Sequence, residues 1–164
     1  MDTILANQLS GEEVKRMARE VPAERLFEHI FDSDSRMARN AAWALTHKPA
    51  NELAPLPQKR LVDYALATPD TSLRRLTLAL LERQGIKEED LRSDLLDFCL
   101  QHMMALEEPP GVQALCLKIA YQMCGYYPEL MHEFNETLNL MQPEHYKAGM
   151  RHLIKKTKKQ IQND

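Results

Sequence analysis

Two stretches of this 164-residue chain fall into register when one is shifted by thirty-six positions. Shifting SRMARNAAWALTH, residues 35–47, lays Met37 on Leu73, Arg39 on Arg75, Ala42 on Leu78 and Leu45 on Leu81. VQALCLKIAYQMC continues the register at a slightly longer shift, with Val112 on Leu73, Leu117 on Leu78 and Ala120 on Leu81. A repeat of this length is one supersecondary unit that cannot bury its apolar face alone, so neighbouring copies must stack to make a core.

Within the first copy, Met37, Ala38, Ala41, Ala42 and Leu45 recur at spacings of three and four, the signature of a helix with one apolar face. That face is small-sided and lets another helix approach closely. Arg36, Arg39, Asn40, Trp43 and His47 form the opposite row, a polar and aromatic stripe in which Arg39 is within reach of the indole four residues on.

The same periodicity and strong start signals extend along the chain. Ser10 and Glu13 make a capping box. The segment PAERLFEHIFD offers Leu26, Phe27, Ile30 and Phe31 for burial, and Ser33 or Asp34 caps the tryptophan helix. ANELAPLP reads as a loop. PQKRLVDYALA is a helix with Leu61, Val62, Ala65 and Leu66 on one face, and Asp70 or Thr71 caps the next one. EEDLRSDLLDFCLQHMMAL carries apolar residues, Leu106 among them, over more than half its circumference, which predicts a helix buried between neighbours. Pro128-Glu129 and Pro143-Glu144 each open a helix. The last helix sets Tyr146, Met150, Leu153, Ile154, Thr157 and Ile161 against Lys147, Arg151, Lys155, Lys158 and Lys159, the pattern of a terminal cap. No strand-like alternation occurs.

With 44% apolar and 27% charged residues, disordered and collagen-like chains are excluded. The net charge of −3 is unevenly spread: −4 over residues 1–35, +3 over 36–92, −7 over 93–146 and +5 over 147–164. Such blocks argue against a protein coated all round by nucleic acid and leave room for a local anion-binding patch. MDTILANQLS lacks a basic n-region, and LTLALL is too short to span a bilayer, so a cytoplasmic location without membrane contact is expected. Cys99, Cys116 and Cys124 sit among Phe, Leu, Ile and Met and are expected as reduced, buried thiols.

Catalytic chemistry finds little purchase. Cys99 and His102 share a helix face, and His145 and His152 lie seven apart, but neither pair has a second ligand pair at matching spacing and there is no HExxH arrangement. No nucleophile elbow and no phosphate-cradling glycine loop is present. The sequence is therefore read with no metal, no cofactor and no catalytic residue.

Paired helices at this period, with Arg39, Ala42 and Leu45 followed by Arg75, Leu78 and Leu81, resemble the HEAT and armadillo group of helical repeats. The resemblance implies an all-α, right-handed α-α superhelix, a solenoid of about nine or ten antiparallel helices. In it, residues 1–164 form a single domain with repeats at roughly 11–32, 34–69, 70–108 and 110–142 and a capping helix at 143–162. It further implies a non-catalytic scaffold holding a protein or peptide partner on a surface of second helices, where Arg60, Asp63, Asp94, His132, Asn135 and Asn139 would be displayed. Alkylpurine DNA glycosylases are similar in architecture. The alternative expectation is accordingly a DNA-binding or DNA-alkylation-repair protein, with nucleic acid as partner and Arg36, Arg39, Trp43 and Arg75 facing it. No aspartate of this chain falls in a motif matching the catalytic one of that class.

Overall fold

The computed structural model describes residues 2–164, with side chains from residue 4 onward. All regular structure among these residues is helical, and the chain divides into two compact units, Met1–Gly85 and Ile86–Asp164.

The first unit runs through α1 (Asp2–Leu5), α2 (Gly11–Glu20), α3 (Ala23–His29), α4 (Ser35–Leu45), α5 (Ala50–Leu53), α6 (Gln58–Ala67) and α7 (Thr71–Gln84). Its organising element is α4, which packs against α1, α2, α3 and α7. Four alanines make this crowding possible: Ala38, Ala41, Ala42 and Ala44 are all fully buried. Without longer side chains between them, helix axes come close enough for backbone-proximal contact. The start of α4 is fixed by Asp34, whose carboxylate accepts from the backbone N–H of Arg36 at 2.9 Å and of Met37 at 3.3 Å. Asp70 does the same for α7, accepting from Leu73 N–H at 3.0 Å. The capping box read at Ser10 and Glu13 opens α2.

The most extensive helix pairs in this unit are α3 with α4 and α6 with α7, followed by α4 with α7. Each copy of the repeated arginine-bearing helix thus makes its most extensive contact with the helix that precedes it. Burial on α4 is also wider than the apolar face alone predicts. Asn40, on the polar and aromatic stripe, is buried, and its amide donates to the carbonyls of Leu5 at 2.7 Å and Asn7 at 2.8 Å. The segment read as a loop, ANELAPLP, contains the single turn α5 and sends Leu53 and Leu56 into the core. Gln84 on α7 secures it, donating to the carbonyls of Leu53 at 2.9 Å and Leu56 at 3.0 Å.

The second unit holds α8 (Ser93–Met104), α9 (Pro110–Cys124), α10 (Pro128–Leu140) and α11 (Ala148–Asn163), with 3₁₀ turns at Glu88–Asp90 and Pro143–His145. Here α9 is central. It packs on α8, α10 and α11, and buries Val112, Cys116, Leu117, Ile119, Ala120, Met123 and Cys124 around most of its circumference. Such all-round burial is what a low-polarity helix with neighbours on several sides requires.

Two helix starts shift relative to the sequence signals. The acidic run before α8 forms a 3₁₀ turn, and so does Pro143–His145, so that the final helix begins at Ala148. Leu106, expected on the buried face of α8, lies beyond its end and is 61% exposed. The two-sided character of α11 is present as read, with Met150, Ile154 and Thr157 buried and Lys147, Arg151, Lys155 and Lys159 exposed. Tyr146 is buried beside it and donates its hydroxyl to the Met104 carbonyl at 2.9 Å.

Candidate binding groove

The stripe on α4 opens into a groove of about 660 Å³ between α4 and α7. Arg36, Arg39, Asn40, Trp43, Thr46 and His47 form one wall and Ser72, Arg75, Leu76 and Ala79 the other, with Gln8 and Leu9 closing an end. Under the thirty-six-residue shift, Arg36 falls on Ser72, Arg39 on Arg75, Asn40 on Leu76 and Trp43 on Ala79. The groove is therefore the same helix row used twice. It stays open because alanine stands in the second copy where the first has tryptophan. Ser72, Leu76 and Ala79 were readable from that shift alone; Gln8, Leu9 and Thr46 were not, since they come from outside the repeated row.

Five of the eleven residues singled out from sequence meet in this groove: Arg36, Arg39, Trp43, His47 and Arg75. The lining holds three arginines and no carboxylate. Arg36, His47 and Arg75 are exposed and have no side-chain partner among the described residues, while Trp43 is half-buried. Arg39 does not lie over the indole as its spacing allows. Its guanidinium crosses to α7 and donates to Asp70 at 3.0 Å. Asp70 is held below the usual carboxylate range first by the Leu73 N–H; burial opposes this, and the hydrogen bond and charge of this arginine add to the lowering.

The other six lie elsewhere; Asp94, on α8 in the second unit, pairs with Arg92 at 2.8 Å. Arg60, on α6, bonds both carboxylate oxygens of Glu28 on α3, at 2.7 and 3.4 Å, and its guanidinium stacks 4.2 Å from the Phe31 ring centre and 5.1 Å from that of Phe27. This is a strut between α3 and α6, and it keeps the Glu28 carboxyl below its ordinary range. Asp63 is exposed on α6, and neither it nor Arg60 lines the groove. His132, Asn135 and Asn139 belong to α10 in the second unit, where His132 Nε2 sits 3.1 Å from Glu136.

Elsewhere in the second unit, His102 Nδ1 lies 3.2 Å from Glu108 and its ring stacks on Phe98 at 3.9 Å, while Cys99 is fully buried. Among the described residues no group of three or more His, Cys, Asp and Glu side chains is placed to hold a metal.

Consecutive antiparallel helices, repeated with equivalent residues at equivalent positions, define a helical repeat protein. The family model of the HEAT repeat domain matches residues 1–161, and the chain belongs to that family. No curated protein and no solved structure matches it. No helix among the described residues is long and apolar enough to cross a membrane.

Proposed function

We propose that this helical repeat scaffold is a non-catalytic protein- or peptide-binding module, and that the α4–α7 groove is where it takes its partner. The observation that carries the reading is the half-buried Trp43 set between Arg36 and Arg75, neither of which has a side-chain partner among the described residues. A tryptophan in a pocket with arginines at its rim is the side-chain combination most often found to dominate binding energy. The partner that complements it is an acidic segment carrying one bulky apolar residue, its carboxylates on Arg36 and Arg75 and its apolar side chain against the indole.

The DNA reading draws on the same arginines, which would serve equally on phosphates. Base-excision chemistry additionally needs a carboxylate at the sugar, and the groove lining supplies none.

The test is capture from the source lysate with and without nuclease, using the wild-type chain and a double variant, Arg36→Glu with Arg75→Glu. Proteins retained by the wild type after nuclease and lost by the variant support the proposal. Capture that disappears with nuclease transfers the groove to nucleic acid. Capture indifferent to the two arginines removes the groove from consideration.

A further inference from the structure

A second pocket in the first unit, of about 400 Å³, is formed where α2, the end of α4 and α5 meet. Lys15 and Arg19 enter it from α2, His47 and Lys48 from the chain after α4, and Glu52 from α5. Lys48 is the unusual member. Its side chain is only 5% exposed, and the one carboxylate beside it, Glu52 Oε1, stands 3.7 Å from the ammonium, too far for a hydrogen bond. The stem of Lys48 is packed away while its ammonium, without a hydrogen-bond partner among the described residues, keeps a path to water.

The surrounding charges deepen the imbalance. Arg19 and His47 have no side-chain partner among the described residues, and Lys15 stands 3.8 Å from Glu12, itself almost fully exposed. Three permanent cations and an imidazole thus converge on a pocket with one half-exposed carboxylate.

The backbone presenting Lys48 is fixed from outside the pocket. Arg83 on α7 donates one guanidinium nitrogen to the Thr46 carbonyl and another to the Lys48 carbonyl at 2.6 Å. Pro49 then restricts the chain immediately after. The backbone that carries Lys48 is thereby fixed, which lowers the ordering cost of binding there.

We infer that this pocket binds an oxyanion of the phosphate class, with the Lys48 ammonium facing it, Arg19 supplying a planar fork of donors and Lys15 closing the rim. Of the pocket residues only His47 also borders the groove, and the inference does not rest on the groove's proposed partner. The phosphoryl group is either free or carried on a larger molecule.

Titration of the full chain with inorganic phosphate, inorganic pyrophosphate and O-phosphoserine tests it. Sodium chloride at matched ionic strength is the control, and the readouts are calorimetry and amide chemical shifts. Saturable binding of the phosphates, with shifts at residues 15–19 and 47–52, is expected. Preference for O-phosphoserine over inorganic phosphate would mark a carried phosphoryl group, and the reverse a free one. Lys48→Met should weaken binding about tenfold or more, as loss of a charged hydrogen-bonding partner does. Without phosphate it should melt close to the wild type, because methionine keeps the packed stem and only a charge that reaches water is lost. Arg19→Gln, at an exposed position, gives a second reading should Lys48→Met fail to fold. A response no different from chloride, or binding undiminished in either folded variant, overturns the inference.

Discussion

Arg39 Nη1 stands 3.0 Å from Asp70 Oδ2, so that an arginine in the middle of α4 grips the residue that starts α7. The same carboxylate caps α7 through the Leu73 N–H, and Asp70 therefore ties two copies of the repeat together while closing a helix end. The guanidinium that does this also lines the groove. Helix capping, inter-repeat pairing and the electrostatics of the candidate site are joined in two side chains.

Asp70→Asn and Asp70→Ala separate these roles. Asparagine is as good a cap as aspartate, so Asp70→Asn should lose only the Arg39 pair, about 0.5 kcal/mol for a partly exposed ion pair. Asp70→Ala should lose the cap as well, a total nearer ~1.5 kcal/mol. Because the Asp70 carboxyl is held below its ordinary range in the folded protein, its stabilisation is fully present above the unfolded value of about 4. It disappears as pH falls from there through the lowered folded value. Urea titrations at neutral pH and near pH 3 should therefore show the gap between wild type and Asp70→Asn shrinking in acid. A gap independent of pH would mean that the pair contributes nothing.

Trp43 is half-buried, which sets an intermediate cost for its removal. Truncating a fully buried aromatic costs roughly 3 to 5 kcal/mol; with part of the indole already in water, Trp43→Ala should cost about 1 to 2 kcal/mol. In a chain of this size that lowers the thermal midpoint by roughly 2 to 8 °C. Calorimetry measures it. A drop well beyond that range would make the indole a core residue and remove it as a binding anchor.

The helices and their caps were legible because they depend on neighbours three and four residues away. Asp34, Asp70 and the Ser10–Glu13 box needed nothing beyond local chain geometry. The groove was half legible: Arg36, Arg39, Trp43, His47 and Arg75 follow from the repeat shift. What escaped the sequence is settled by partners thirty or more residues distant. Asn40 reads as a surface amide until the Leu5 and Asn7 carbonyls are found beneath it. Arg39 reads as a cation for the indole until Asp70 claims it. Lys48 reads as the frayed end of a helix, and only α2 and α5 together bury it.

The three cysteines should be inert while the protein is folded. Cys99, Cys116 and Cys124 are buried and unoxidised. Cys99 is pushed well up by its hydrogen bond with Cys116 and by burial, and burial with help from Glu133 pushes Cys124 up to about 12. The reactive species is the thiolate, so labelling by a thiol reagent at pH 7.5 should be negligible in native buffer and reach all three cysteines in denaturant. Rapid modification of the native protein would show that the α8–α9 region opens readily.

Gly85 closes α7 with φ 76° and ψ 129°, the one positive-φ residue among those described. A side chain there would meet nothing within 4 Å, so space places no limit on the position. Backbone conformation does. An L-residue at this φ and ψ clashes with its own carbonyl neighbourhood, and the strain of such conformations is about 1 to 3 kcal/mol. Gly85 also donates its N–H to the Leu81 carbonyl at 3.1 Å and accepts from the Gln58 amide at 3.0 Å, so relaxing the turn to accommodate a Cβ would disturb both bonds. Gly85→Ala should accordingly destabilise the protein by about 1 to 3 kcal/mol in urea unfolding, and Gly85→Asn by less, since asparagine tolerates positive φ better than alanine. Equal and negligible costs for the two would show that the turn relaxes freely and that the end of α7 is not held by the geometry of this residue.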